Sequence, residues 1–187
     1  MRPLVVFDLC DTIYAENTTA EFIRFLGRAR LLDRWSRGRM IARLGGMRRA
    51  ELEHAAGRYA ARRLPQRENA EIMRRLASHR DRGDRVFILS ASLDIVVAAV
   101  ARILAVEHAA SALAWDGDRC AGRLELDLTG RKLEVARRLG AGAPLVAYSD
   151  NRSDRDLLGA ADKAYLVVPK GRSPPRWAGS GFEHVVL

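Results

Sequence analysis

Leu4-Val5-Val6-Phe7-Asp8-Leu9-Cys10-Asp11-Thr12 is the stretch on which the fold of this 187-residue chain turns. Four consecutive apolar residues, two of them β-branched, stop abruptly at a carboxylate. A run this short, continuous rather than alternating, predicts a strand buried on both faces, the habit of parallel sheets. An acid at the end of such a strand sits where open α/β sheets hold their ligands, beyond the carboxyl ends.

The same pattern recurs twice further along. Val86-Phe87-Ile88-Leu89 ends at Ser90, and Pro144 to Tyr148 ends at Ser149-Asp150. Asp8, Ser90 and Asp150 are therefore expected to converge on one crevice. Between these runs the pattern changes period. Ser92 is read as the cap of a helix reaching about Ala105. Ala112 to Trp115 and Gly122 to Leu128 read as strands around the turn Asp116-Gly117-Asp118. Arg131 to Leu139 and Asp154 to Ala161 read as helices, Ala164 to Val168 as a last core strand, and the tail beyond as mostly loop. Strands alternating with helices imply a parallel sheet with helices on both faces.

From Glu21 to Arg82 no strand signal appears. Phe22, Ile23, Leu26, Leu31, Leu32 and Trp35 recur at helical spacing, and Ile41, Leu44, Leu52, Tyr59, Ile72 and Leu76 continue it. Gly45-Gly46 and Pro65 break the segment into three or four helices. Thr18 and Glu21 have capping-box spacing, which starts the first helix there. Trp35 and Trp115 read as core.

A carboxylate at a strand tip can attack phosphorus and form an aspartyl-phosphate. Phosphoryl transfer also needs a divalent cation held by acids, and donors for the equatorial oxygens. Asp8 and Asp150 can hold Mg²⁺, Ser90 can donate, and Lys132, one of only three lysines, can neutralise charge. Each has a plainer alternative: Ser90 as a helix cap, Lys132 as a surface cation, Asp154 as a helix-dipole partner.

Taken together these residues form a familiar set. Val5-Val6-Phe7-Asp8-Leu9-Cys10-Asp11-Thr12 resembles the first motif of the haloacid dehalogenase superfamily, a hydrophobic strand followed by DxDxT. Phe87-Ile88-Leu89-Ser90 resembles the second, Lys132 matches the third, and Tyr148-Ser149-Asp150-Asn151-Arg152-Ser153-Asp154 resembles the fourth. The resemblance implies a Rossmann-like core of residues 1–16 and 83–187, with the first strand central, between the Ser90 and Asp150 strands. Residues 17–82 then resemble the inserted helical cap of the phosphoserine phosphatase-like branch. It further implies a Mg²⁺-dependent phosphatase acting on a small phosphorylated metabolite. Asp8 would be nucleophile and metal ligand, with the Cys10 carbonyl, Asp150 and Asp154 (directly or through water) as further ligands. Ser90 and Lys132 would bind the phosphoryl group, and Thr12 would steady the loop. Asn17 and Thr18, close to the nucleophile, and Arg24 and Arg28, one turn apart on the first cap helix, are candidate substrate contacts.

One residue departs from the pattern. Where the phosphatases carry a second Asp as general acid and base, this chain has Cys10. Loss of such a group typically costs about 10²–10⁴-fold in rate. That keeps open an impaired, phosphate-binding or phosphotransferase role, or takeover of the acid's work by Asp11 or a cap residue.

The formal charge of +9 is unevenly spread. Residues 21–85 hold 18 basic and 8 acidic side chains and the rest hold 14 and 15, so the whole surplus lies in the helical segment. That suits an anionic substrate or peripheral contact with anionic lipid, or simply a GC-rich genome that encodes Arg where others encode Lys. Few aromatics and no nucleic-acid motif argue against a nucleic-acid partner. Cys10 and Cys120 are far apart and form no metal spacing, and no 18-residue apolar run occurs, so a reduced, cytoplasmic protein is expected.

Overall fold

Residues 1–29, 36–169, 171–178 and 182–187 are described by a computed structural model. Leu31, Leu32 and Trp35 of the expected helical run lie outside them. Leu4–Phe7 forms β1, wholly buried, at the middle of a seven-stranded sheet. The other strands are β2 (Arg85–Leu93), β3 (Glu107–Asp116), β4 (Arg119–Leu126), β5 (Leu145–Ser149), β6 (Lys163–Val168) and β7 (Glu183–Val186), in the order β4-β3-β2-β1-β5-β6-β7. All neighbours are parallel except β3 and β4, a hairpin turning at Gly117. The central place of β1, between the Ser90 and Asp150 strands, is as expected.

Alternation along β1 sorts the core into two layers. Leu4 and Val6 join Phe87, Leu89, Ala147 and Leu166 under α6 (Lys132–Gly140) and α7 (Arg155–Ala160). Val5 and Phe7 join Ile88, Tyr148 and Val167 on the other face, under α5 (Asp94–Leu104). The helical segment adds to this second layer. Its helices α1 (Thr18–Phe25), α2 (Arg37–Ala42), α3 (Arg49–Arg62) and α4 (Ala70–Asp81) contribute Phe22, Ile23, Ile41, Leu52, Tyr59, Ile72 and Leu76 to one continuous cluster with the sheet.

Four local expectations are corrected. The cap of α1 is Asn17, whose side chain accepts from the Ala20 N–H, and Thr18 is the first helical residue. Ser92 caps nothing, because β2 runs on to Leu93 and α5 begins at Asp94. Helix α6 extends through Gly140 and is closed by Ala141 in the left-handed conformation. The tail is not all loop, since it returns as β7 beside β6. Edge pairing of that kind carries little signal in four residues of which only Val185 is buried.

Candidate active site

Parallel register aligns the carboxyl ends of the three central strands. Phe7 pairs with Ile88 and Tyr148, and the Asp8 N–H donates to the Tyr148 carbonyl at 2.9 Å. Asp8, Ser90 and the Ser149-Asp150 pair therefore leave the sheet at one level. A cavity of about 190 Å³ opens there, walled by Asp8, Cys10, Asn17, Ser90, Ser92 and Lys132, with Arg37 and Met40 of α2 closing one side.

Lys132 organises the floor. Its ammonium is buried and lies 2.8 Å from Asp8 Oδ1 and 2.6 Å from Asp154 Oδ2. Burial disfavours that charge, but the two carboxylates outweigh it and raise the lysine further above neutrality. Asp154 also accepts from Ser149 Oγ at 2.6 Å, so it holds Lys132 in place from behind. Asp8 Oδ1 accepts from the Leu9 N–H at 2.7 Å as well, which leaves the second carboxylate oxygen for other partners.

Asp150 stands on the other flank. Thr12 Oγ1 donates to Asp150 Oδ1 at 3.1 Å and accepts from the Asp150 N–H at 3.1 Å, tying the first loop to the last. Asn69, just before α4, donates to the Thr12 carbonyl at 2.5 Å and stiffens that tie. Burial, then Asp8 and Asp11, push the Asp150 carboxyl up to about 7. Burial and then Asp8 raise Asp11 too, and its backbone is left-handed with φ 52°. Acids crowded to this degree are short of positive charge.

Cys10 sits in a cluster of neutral hydroxyls. Its Sγ is 3.2 Å from Thr18 Oγ1 and 3.0 Å from Ser92 Oγ, and it accepts from the Thr18 N–H at 3.3 Å. Burial and then Asp8 push the thiol up, so it stays protonated. Thr18 and Ser92 are themselves 2.7 Å apart.

The candidate residues divide clearly. Asp8, Cys10, Asn17, Ser90 and Lys132 line one cavity, with Asp150 and Asp154 joined to it through Thr12 and Lys132, and Thr18 buried behind Cys10. Arg24 and Arg28 are not among the cavity's lining residues. Arg24 pairs with Glu21 in a separate cleft with Glu16 and Tyr59, and Arg28 donates to the Arg43 carbonyl. Arg37, Ser92 and Asn69 were not foreseen. Only Ser92 had a signal, its position two residues after Ser90, and cap spacing explained it away.

The sequence matches the model of the haloacid dehalogenase-like hydrolases over residues 5–159. The chain belongs to this family. Among solved structures, a Bordetella pertussis Tohama I protein of unknown function superposes with a TM-score of 0.81 at 21% identity, covering 99% of this chain and 98% of that one. A family hydrolase from Salmonella enterica serovar Typhi gives 0.73 at 16% identity, over 98% and 68%. A substrate-bound phosphoserine phosphatase gives 0.67 at 18% identity, over 89% and 86%. At these identities the likeness is one of fold. A search of curated proteins finds no significant match.

Proposed function

We propose that this hydrolase cleaves small phosphate monoesters through an aspartyl-phosphate on Asp8. The observation that carries this reading is the buried Asp8–Lys132–Asp154 chain at the tip of β1, with Ser90 and Asp8 walling one small cavity. A carboxylate that is positioned but keeps one oxygen free suits attack on phosphorus. In this reading Lys132 and the Ser90 hydroxyl take the charge of the equatorial oxygens.

The donor set fits a hard divalent cation, although among the described residues no three His, Cys, Asp or Glu side chains are gathered into a ready-made cage. Two carboxylates, Asp8 and Asp150, and the Cys10 carbonyl would hold Mg²⁺, with Asp154 acting through water because Lys132 and Ser149 occupy it. The poorly compensated Asp150 carboxyl is the observation in favour. Bound there, the cation would neutralise phosphoryl charge and favour the ionised form of Asp150.

Protonation of the leaving group is the weak step. A raised thiol among neutral hydroxyls is a poor acid, so esters of acidic alcohols should turn over best. The same observation favours one second reading, a phosphate-binding protein with slow turnover. Release of phosphate from p-nitrophenyl phosphate, with and without Mg²⁺ and beside Asp8→Asn, separates the two. Turnover that needs both the metal and Asp8 supports the hydrolase. Phosphate binding with no turnover supports the binder.

Among the described residues no helix is long and apolar enough to cross a membrane. The small cavity suits a compact metabolite, and we place the reaction in the cytoplasm on the strength of the free thiols of Cys10 and Cys120.

A further inference from the structure

Helix α2 contributes Arg37 to the cavity wall, yet the guanidinium is spent on the protein. Nη1 donates to both Asp127 oxygens at 2.8 Å and to Thr129 Oγ1 at 2.9 Å. Nη2 donates to the Ala91 carbonyl and to Ser111 Oγ at 3.2 Å. Ala91 directly follows Ser90, and Asp127 and Thr129 form the turn that leads into α6 at Lys132. Asp127 fixes that turn by accepting from the Thr129 N–H at 2.9 Å and its hydroxyl at 2.8 Å. One side chain from the helical segment thus grips both the end of β2 and the turn into α6, the two places that deliver the phosphoryl-binding groups.

We propose that Arg37 is a positioning residue, which clamps α2 onto the end of β2 that carries Ser90 and the turn that leads to Lys132, so that the phosphoryl site is complete only with the helical segment docked. This rests on the phosphoryl roles given above to Ser90 and Lys132.

An isolated surface ion pair contributes little, and the Arg37 and Asp127 side chains are 32% and 48% exposed. The clamp differs in its geometry. A planar fork meets a carboxylate, two hydroxyls and a backbone carbonyl at once, which one ammonium cannot do. Burial pushes the Asp127 carboxyl up, but Arg37 and the Thr129 donors outweigh it and hold it down at about 2. The Asp127 carboxylate is therefore charged at neutral pH. With both guanidinium nitrogens engaged by the protein, Arg37 acts on substrate through the β2 end and the α6 turn rather than by touching it.

The test uses Arg37→Ala, Arg37→Lys, Asp127→Asn and the Arg37→Ala/Asp127→Asn double variant of the full chain, read by p-nitrophenyl phosphate kinetics and amide hydrogen exchange. Misplacing a catalytic group by a fraction of an ångström is expressed mainly in kcat, so Arg37→Ala should lose about tenfold or more in kcat with KM changed by less than about threefold. Exchange should quicken at residues 90–93 and 127–132 and in α2 while β1 and β5 keep their protection. Arg37→Lys should not rescue, and the double variant should be no worse than the poorer single one. Unchanged kcat, full rescue by Lys, or additive losses would each overturn the clamp. Should Arg37→Ala not fold, Asp127→Asn cuts the same contact from the core side. Absence of Mg²⁺- and Asp8-dependent turnover in the unmutated protein would sink the hydrolase reading instead. In that case orthovanadate affinity replaces kcat, and a variant that binds it as tightly as the parent, with unchanged exchange, overturns the clamp on its own.

Discussion

Cys10 and Asp150 are the two residues whose environments make the sharpest predictions. Cys10 is half-buried against the buried Thr18 and Ser92 and carries no charge to give or take. Cys10→Asp restores a titratable acid beside Asp8, so turnover of alkyl phosphates should rise by about 10²-fold, with p-nitrophenyl phosphate gaining least because its leaving group needs no proton. A uniform gain for both substrates would show that the substitution does something other than supply an acid. Asp150 is costly to the folded protein without a cation. Its folded pKa of about 7 lies above its ordinary value, so it favours the folded state below about pH 4, and that favour is lost as pH rises through 7. Asp150→Asn should therefore stabilise the metal-free protein at pH 7.5 by roughly 2–4 kcal/mol and abolish any rise in Tm on adding Mg²⁺. Denaturant melts with and without the cation check both halves. Neither residue could be assessed from the chain alone. The sequence showed a Cys in an acid's place and an Asp at a strand's end, but the hydroxyls around the first and the crowding around the second come from segments 8 to 142 residues away.

Among the elements, α2 and β4 meet through glycine. A Cβ on Gly122, whose φ is 70°, would stand 3.2 Å from the Ala42 carbonyl oxygen and 3.3 Å from the Gly45 Cα, both backbone. Gly57, inside α3, has nothing within 4 Å of such a Cβ and no positive φ. Gly122→Ala should cost about 1–3 kcal/mol and loosen the docking of α2, whereas Gly57→Ala should stabilise by about 0.5–1 kcal/mol. Thermal melts of the two variants read the contrast directly, and equal effects would mean that α2 does not rest on β4. The elements themselves were largely legible. β1, β2 and β5 are continuous apolar runs because parallel strands under helices bury both faces. The run Ile41, Leu44, Leu52, Tyr59, Ile72, Leu76 shows the 3.6 period because each helix buries one stripe. Boundaries were the illegible part. Thr18 and Ser92 have cap chemistry and cap spacing, yet their hydroxyls are bonded to each other across the fold, and that tertiary pairing overrides the local preference.

On the scale of the whole molecule, α4 fastens the helical segment to the sheet through His79. Its Nδ1 lies 2.7 Å from Asp84 Oδ2 and its Nε2 3.0 Å from the Tyr148 hydroxyl, at the edge of a ladder in which Phe7, Tyr148 and Tyr165 stack at 4.4 Å across β1, β5 and β6. Burial lowers the His79 pKa despite Asp84. The unfolded chain therefore takes up this proton first, so the contribution is whole above about pH 6.5 and fades as pH falls through that value. Asp150 titrates with the opposite sign in this range, so the measurement belongs in the Asp150→Asn background. There, stability should fall between pH 7 and 5, and His79→Asn should flatten the fall. A slope unchanged by the second substitution would remove His79 from the account.

The sequence by itself determined the architecture and the reactive end of the molecule. Apolar runs that end in Asp8, Ser90 and Asp150 allow only a parallel sheet with those residues at one edge, because burying a strand on both faces and exposing its polar terminus are local demands written in consecutive residues. Tertiary structure alone decided which acids crowd, which arginine enters the cavity and which does not. Arg24, Arg28 and Arg37 are chemically identical in the chain. Only the path of α2 brings the last of them to Asp127 and Ala91, and proximity between segments distant in sequence is a property of packing rather than of any local pattern.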